Sequence, residues 1–239
     1  MPPKKQGNAL AQRKSNAEKL LQQQRKRRLI WFSTVGVLLI LIVVVLSLDP
    51  KPVVKAASFD YDNLPVLGQS DAPVKIVEFG DFKCPACKIA NDTIKPQLVN
   101  DYIEQGKVAF YFMNLPFIGP DSTTAALAVQ SVYHQNKDAF WTYFDAIYGN
   151  QGEEKVQWAT AEYLVGLAKE INLPVDYDLL QKDIEDKTYI NEVTEHYNKA
   201  DKLKIDSTPT FFINGVEFTG NLGNYDEFKQ AIDNASNNK

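Results

Sequence analysis

Short apolar runs and helically spaced apolar residues divide most of the chain into strands and helices. Buried strands are predicted at residues 74–79 and 107–113, where β-branched and aromatic side chains follow one another. A helix predicted from residue 88 to about 102 separates them, although Pro96 is expected to kink or break it. A strand, a helix and a second strand in this order form a βαβ unit with a parallel strand pair.

From residue 121 to about residue 203 the chain carries only helical signals, in four or five successive segments. Asp121 or Ser122 is expected to cap the first of these helices, and Thr160 and Asp176 precede later ones. This block is therefore predicted to be an all-helical domain inserted after the βαβ unit.

The last part of the chain returns to strands and ends in a helix. Asn214 and Gly215 separate two short strand-like runs, and this dipeptide is typical of a type I′ β-hairpin. Asn224 and Glu227 form a capping box for an amphipathic helix from residue 225 to about 234. The predicted order is thus β-α-β, a helical insert, and β-β-α.

Residues 29–48 form an uncharged run of twenty residues dominated by Val, Leu and Ile. A helix of this length, at about 1.5 Å per residue, spans a hydrocarbon layer of about 30 Å, and the run exceeds the roughly 7–15 residues of a signal-peptide core. Residues 1–28 carry nine Lys/Arg and one Glu, whereas residues 29–239 carry 17 Lys/Arg and 29 Asp/Glu, a net charge of −12. The length of the run predicts an uncleaved transmembrane anchor. The positive-inside rule then predicts that the basic tail is cytoplasmic and that the body lies outside the cytoplasm.

A basic tail can also bind nucleic acid. Because this tail adjoins an apolar span, we expect it to set the orientation of the anchor in the membrane, and we expect no nucleic-acid partner. Trp31 and Phe32 suit the membrane interface. Pro50 and Pro52 lie in a stretch of small residues that is expected to be a linker. The predicted divisions are the tail 1–28, the anchor 29–48, the linker 49–63, the first half-domain 64–120, the helical insert 121–203 and the second half-domain 204–239.

Cys84 and Cys87 follow the first long strand and lie three residues apart, so that both face the same side of one helical turn. Pro85 suits the first position of a helix, which puts Cys84 at the positive end of the helix dipole. That position favours the thiolate, the species that attacks in disulfide exchange. Cys87, one turn deeper, is the natural resolving thiol.

Two other interpretations of the cysteine pair are weaker. A zinc site needs four ligands, and the chain has no further cysteine and only His134 and His196, which lack ligand spacing and are expected to be surface or capping residues. A structural disulfide that closes so short a loop removes little chain entropy. We therefore expect redox chemistry, no metal site, and no cofactor beyond the Cys84–Cys87 dithiol.

Three motifs resemble the DsbA-like group of thioredoxin-fold oxidoreductases, and among them the membrane-anchored BdbD-type proteins of Gram-positive bacteria. The resemblance covers about residues 64–236 and implies an α/β thioredoxin fold with an inserted helical domain, preceded by one N-terminal transmembrane helix. The motifs are Val77-Glu-Phe-Gly-Asp-Phe-Lys-Cys-Pro-Ala-Cys87, Ser207-Thr-Pro-Thr210 and Phe212-Ile-Asn-Gly215.

The resemblance also implies roles for single residues. Cys84 would be the attacking, solvent-facing thiol, and Cys87 the buried thiol. Glu78 would transfer protons to or from Cys87, in line with the raised pKa expected of a carboxyl group in an apolar strand. The residues implied to contact substrate are Pro85 and Ala86 between the cysteines, and Thr208 with a cis Pro209.

The implied activity is that of an oxidase that introduces disulfide bonds into reduced extracytoplasmic proteins. A DsbB-like quinone-reducing membrane protein would take the electrons, and the enzyme is expected to be a monomer. The dipeptide Pro85-Ala86 replaces the Pro-His of the enterobacterial DsbA proteins, so part of their thiolate stabilisation is missing. The resemblance therefore implies an oxidising potential but not its degree. The alternatives are a reductase or isomerase of the same fold, for example in cytochrome maturation, or a non-catalytic tethered binding or metal-scaffold protein.

Overall fold

The computed structural model describes two parts of the chain, which belong to separate compact units. In the first part, residues 24–38 are helical (α1). None of the described helices combines the length and apolar character needed to cross a membrane. The second half of the predicted anchor, residues 39–48, lies outside the described residues, which are 24–38 and 56–237.

A five-stranded sheet forms the centre of the larger unit. Its strands are β1 (Val66–Leu67), β2 (Val74–Gly80), β3 (Val108–Asn114), β4 (Thr210–Ile213) and β5 (Val216–Glu217). They lie in the order β1-β3-β2-β4-β5, with β2 and β3 parallel and the other neighbours antiparallel. The predicted parallel βαβ pair is therefore confirmed.

Within residues 56–237, the helices occupy the predicted places in the chain. They are α2 (Pro85–Leu98), α3 (Pro120–Gln135), α4 (Phe140–Gly149), α5 (Ala161–Glu170), α6 (Tyr177–Glu185), α7 (Ile190–Leu203) and α8 (Tyr225–Asn237). Because α3 to α7 all lie between β3 and β4 in sequence, the predicted thioredoxin-fold order with an inserted helical domain is confirmed.

Pro96 does not end helix α2, contrary to one of the two outcomes predicted for it. The helix continues to Leu98, and a π-helical turn, Val99–Ile103, follows. A proline removes only one N–H from the helix, and the buried Ile94 and Leu98 on either side pack into the core below the sheet.

Local capping signals identified most helix starts. The Thr160 hydroxyl accepts the Tyr163 N–H at 3.2 Å, and the Asp176 carboxylate accepts two N–H groups at the start of α6. The cap predicted for α3 was wrong, because this helix begins at Pro120 with Gly119 as its N-cap. Asp121 is instead used in contacts with distant parts of the chain, described below.

The hairpin prediction is confirmed at Asn214 and Gly215. Both residues have positive φ, 47° and 81°, as the two central residues of a type I′ turn require. The Asn214 side chain also accepts the Lys75 N–H at 2.8 Å, which fixes the turn to the sheet.

The folded body begins earlier than the predicted linker boundary at residue 63. The Ala57 N–H donates to the Gly215 carbonyl at 2.7 Å, and the Phe59 ring packs 6.1 Å from Phe79 and 5.5 Å from Phe212. These aromatic contacts bury apolar surface that a free linker would expose to water.

His196 is buried, so its prediction as a surface or capping residue was wrong. Its Nδ1 accepts the Asn114 N–H at 3.2 Å at the end of β3, and burial lowers its pKa to about 4. His134 is more exposed, as predicted, and its Nε2 lies 2.8 Å from the Glu192 carboxylate.

Candidate active site

The two cysteines lie at the start of helix α2, directly after the loop that follows β2. Cys84 is the N-cap residue, and Pro85 begins the helix as predicted. Both thiols are free; Cys84 is 7% exposed and Cys87 is fully buried. Cys84 is therefore the more accessible thiol, although less open to solvent than the sequence suggested.

The loop before β4 meets the cysteines from the opposite side. The peptide bond between Thr208 and Pro209 is cis, and the Cys84 Sγ donates to the Thr208 carbonyl at 3.3 Å. Pro85 and Ala86 are exposed beside Cys84. The fold thus brings together the residues for which a role in substrate binding was predicted.

The environment of Cys84 stabilises its thiolate. Its pKa is lowered to about 6, chiefly because Cys87 donates a hydrogen bond to the sulfur, with further help from Thr208 and from the N–H groups of Cys87 and Ala86. Burial opposes these effects but does not cancel them. The Thr208 hydroxyl is buried with no partner among the described residues, so it can donate to the sulfur once the proton has left.

The environments of Cys87 and Glu78 instead favour the protonated forms of their side chains. Burial raises the pKa of Cys87 well above 9, and the hydrogen bond with Cys84 and the charge of Glu78 raise it further. Burial also raises the pKa of Glu78 to about 8, despite the nearby positive charge of Lys95. Glu78 is therefore mostly protonated at neutral pH and belongs to the same electrostatic cluster as the dithiol.

Lys95 is a site residue that sequence reasoning missed. It forms an ion pair with Asp145 on α4 and lies 4.9 Å from the centre of the Phe144 ring. A lysine just before a proline in an amphipathic helix carries no recognisable signal, since only the fold brings Lys95 near Glu78.

Asp81 organises the turn that carries Cys84. Its backbone carbonyl accepts the Cys84 N–H at 2.9 Å, and its carboxylate accepts the N–H groups of Lys83, Phe117 and Ile118 at 2.9 to 3.1 Å. An aspartate between a buried strand and the cysteines could have indicated such a turn, but its partners after β3 could not be predicted.

A buried ion pair ties the same turn to the helical insert. Lys83 Nζ lies 2.7 Å from the carboxylate of Asp121, which also accepts the N–H groups of Trp158 and Ala159. Gln151, beyond α4, donates to the Cys84 carbonyl at 3.1 Å. The helical insert therefore holds the cysteine turn directly, through residues that the sequence did not single out.

Comparisons with known proteins agree with this geometry. A family model described as Thioredoxin matches residues 61–234, which include both cysteines and the cis-proline loop. The probable disulfide bond formation protein D of Bacillus cereus is 43% identical over 177 residues, which cover 73% of this chain and 80% of that protein. This chain is a DsbA-like member of the thioredoxin family.

A sequence comparison and a structure comparison place the DsbA-like chain within its family. The disulfide bond formation protein D of Bacillus subtilis is 36% identical over 169 residues, which cover 71% of this chain and 75% of that protein. The crystal structure of oxidised BdbD from Bacillus subtilis superposes with a TM-score of 0.72 at 34% identity, covering 76% of this chain and 97% of that one. In this DsbA-like chain, no cluster of three or more potential metal ligands occurs among residues 24–38 and 56–237.

Proposed function

We propose that this DsbA-like protein introduces disulfide bonds into secreted or surface proteins outside the cytoplasm. Its relatives identify it as a thiol-disulfide oxidoreductase that forms disulfides. The observation that carries the proposal is the contrast between its two thiols. A Cys84 thiolate that is stable near neutral pH favours the reduced protein, and therefore makes the Cys84–Cys87 disulfide an oxidant.

In the first step, a substrate thiolate attacks the Cys84 sulfur of the oxidised enzyme. The Cys84–Cys87 bond breaks, a mixed disulfide forms through Cys84, and Cys87 leaves with the electron pair. Glu78 gives Cys87 a proton, because the pKa of the Cys87 thiol is raised well above that of ordinary thiols. Glu78 then regains a proton from solvent.

In the second step, another thiolate of the substrate attacks the substrate sulfur of the mixed disulfide. Cys84 leaves as a thiolate, which is a good leaving group because its pKa is low. The substrate has lost two electrons and two protons, one proton resides on Cys87, and the other has passed to solvent. Throughout, the loop at Thr208 and Pro209 and the exposed Pro85 and Ala86 would receive an extended substrate segment.

The reduced enzyme needs an oxidant, and we propose a DsbB-like, quinone-reducing membrane protein. The proposal includes a transmembrane anchor at residues 29–48, supported by the uncharged sequence there and the basic residues before it. Trp31 and Phe32 are exposed next to Arg27 and Arg28, a combination suited to a membrane interface. The catalytic body would then act outside the cytoplasm as a monomer, with the dithiol as its only redox group.

Oxidation of a reduced, unfolded ribonuclease tests the proposal. The oxidised protein should restore ribonuclease activity while its own two thiols become open to alkylation, and Cys84→Ser and Cys87→Ser should both be inactive. The reduction potential, measured against glutathione, should lie above the roughly −270 mV of thioredoxin. A potential near that of thioredoxin would indicate a reductase, and faster reshuffling of a scrambled substrate than oxidation of a reduced one would indicate an isomerase.

A further inference from the structure

A small open cavity lies beside the active-site turn, between the loop after β3 and the end of α7. Its volume is about 150 Å³, a size suited to a single large side chain. It is lined by Leu115, Phe117, Tyr197, Asp201, Ile205 and Asp206.

Both walls of this cavity belong to chain segments that contact the turn that carries Cys84. On one side, the Phe117 N–H donates to Asp81, whose backbone carbonyl accepts the Cys84 N–H. On the other side, Asp206 lies two residues before Thr208, a chain distance of at most about 7 Å, and the Thr208 carbonyl accepts the Cys84 thiol. These contacts place residues of both walls next to segments that touch Cys84.

The residues that line the cavity are apolar or aromatic, apart from the two acids Asp201 and Asp206. Leu115 is buried, whereas Phe117 and Tyr197 are 48% and 46% exposed, large fractions for aromatic side chains. Among the described residues, neither carboxylate of Asp201 and Asp206 takes part in an ion pair or hydrogen bond. The neighbouring Lys202 and Lys204 are exposed and do not line the cavity.

We propose that this cavity binds a lysine or arginine side chain located within about two residues of the reactive cysteine of a substrate protein. The aliphatic stem would pack on the apolar wall, an arginine could also stack on Phe117 or Tyr197, and the cation would meet Asp201 and Asp206. The net charge of −12 on residues 29–239 adds a long-range attraction for basic segments. The proposal rests on the proposed function and assigns it a substrate preference; the thiol exchange itself is unchanged.

Dithiol peptides that differ at one position test this preference. Arginine is moved through the two positions before and the two after the first cysteine, and each peptide is compared with matched glutamine, leucine and glutamate peptides. The rate constant for reduction of the oxidised wild-type protein is measured by alkylation. At one position arginine should react about two- to five-fold faster than glutamine, and glutamate more slowly, with the difference shrinking in high salt.

Two double variants with the same change of net charge distinguish an effect of the cavity from an effect of the overall charge of the protein. Asp201→Asn/Asp206→Asn should abolish the arginine preference at that position, whereas Asp178→Asn/Asp186→Asn, two exposed acids on or just after α6, should leave it intact. Tyr197→Ala should weaken it as well. An unchanged pKa of Cys84 shows that each variant keeps its active-site structure.

Other results would overturn the proposal in distinguishable ways. Equal loss of preference in both double variants would show that only the overall charge matters. Faster reaction of the leucine peptide would assign the cavity to an apolar side chain. If the wild-type protein oxidises no peptide at all, the proposed function fails, whereas oxidation without any dependence on the flanking residue leaves that function standing and removes only the role of the cavity.

Discussion

At the scale of single residues, Cys84 and Cys87 lie three positions apart but have pKa values displaced in opposite directions. Cys84 is stabilised as a thiolate by hydrogen bonds, while Cys87 is stabilised as a thiol by burial and by neighbouring negative charge. One hydrogen bond contributes to both shifts: the Cys87 thiol donates to the Cys84 thiolate, which lowers the pKa of Cys84 and raises that of Cys87. At pH 7 the Cys84 thiolate should outnumber the thiol about tenfold.

The hydrogen bond between the cysteines can be tested by titration. In reduced Cys87→Ala, the pKa of Cys84 should rise above about 6, because the largest stabilising contribution is lost. The thiolate absorbance in the ultraviolet, followed against pH, measures this. Cys87→Ser keeps a donor and should remain closer to the wild type; identical titrations of the Ala and Ser variants would contradict the assignment.

Burial raises the pKa of Glu78, and the positive charge of Lys95 should limit that rise. Lys95→Met keeps most of the apolar stem but removes the positive charge that lowers the pKa of Glu78, so this pKa should rise above about 8. The protonated carboxyl band in the infrared spectrum, identified by its absence in Glu78→Gln, reports the titration. Asp145→Asn, which removes the ion-pair partner but keeps Lys95, serves as the control, and a titration unaffected by Lys95→Met would count against the interaction.

At the scale of secondary-structure elements, the turn before α2 is held by contacts from three separate segments. Asp81 binds the loop after β3, Lys83 binds Asp121 in the first turn of α3, and Gln151 reaches the Cys84 carbonyl from beyond α4. The position of Cys84 therefore depends on the helical insert as well as on the thioredoxin-fold half that contains it.

Replacing Asp121 should destabilise the protein more than replacing Lys83, although the two side chains form one buried ion pair. Asp121→Ala leaves a buried ammonium group and two N–H groups without partners, so it should destabilise the protein by about 3–5 kcal/mol. Lys83→Met should cost less, since Asp121 keeps the N–H groups of Trp158 and Ala159. Denaturant melts of the oxidised proteins measure both changes.

Lys88→Met provides the matched control for these melts. It breaks the exposed i,i+4 pair with Asp92, and such surface pairs contribute about 0.5 kcal/mol or less. A loss in Lys83→Met equal to or greater than that in Asp121→Ala would contradict this account of the buried pair.

Sequence reasoning was accurate where the determining residues are close in the chain. The Asn214-Gly215 hairpin, the Thr160 and Asp176 caps and the start of α2 each depend on signals within four residues. The contacts it missed join distant positions: Lys83 and Asp121 are 38 residues apart, and Phe59 packs on Phe212. Such pairs depend on how the elements pack together, which periodicity and spacing do not encode.

At the scale of the whole molecule, the redox state should determine how stability depends on pH. The folded pKa of Cys84 lies below its ordinary value of 9.0, at about 6, and it titrates only when the disulfide is open. The stabilisation that Cys84 gives to the reduced form is therefore fully present above about pH 9 and is lost as pH falls through about 6. Its full size corresponds to about 4 kcal/mol.

Melts of both redox forms between about pH 5 and pH 9 check this expectation. Glu78 contributes an opposite slope, because its pKa in the folded, reduced protein is raised from 4.5 to about 8 and stability is lost as pH rises between these values. Burial, the main cause of this shift, is present in both redox forms. The Glu78 effect largely cancels in the difference between the two forms, which should grow with pH in favour of the reduced protein. A difference that is independent of pH would contradict the low pKa of Cys84.

The low pKa of Cys84 also means that the protein reports its oxidation state as electrical charge. Near neutral pH, the oxidised form carries no charge on its sulfurs, while the reduced form carries one negative charge at the mouth of the active site. The reduced protein should thus migrate faster towards the anode than the oxidised protein in a native gel at neutral pH. This difference in migration should vanish well below pH 6. A protein that must distinguish the oxidised enzyme from the reduced one can therefore do so by electrostatics, before it contacts either sulfur.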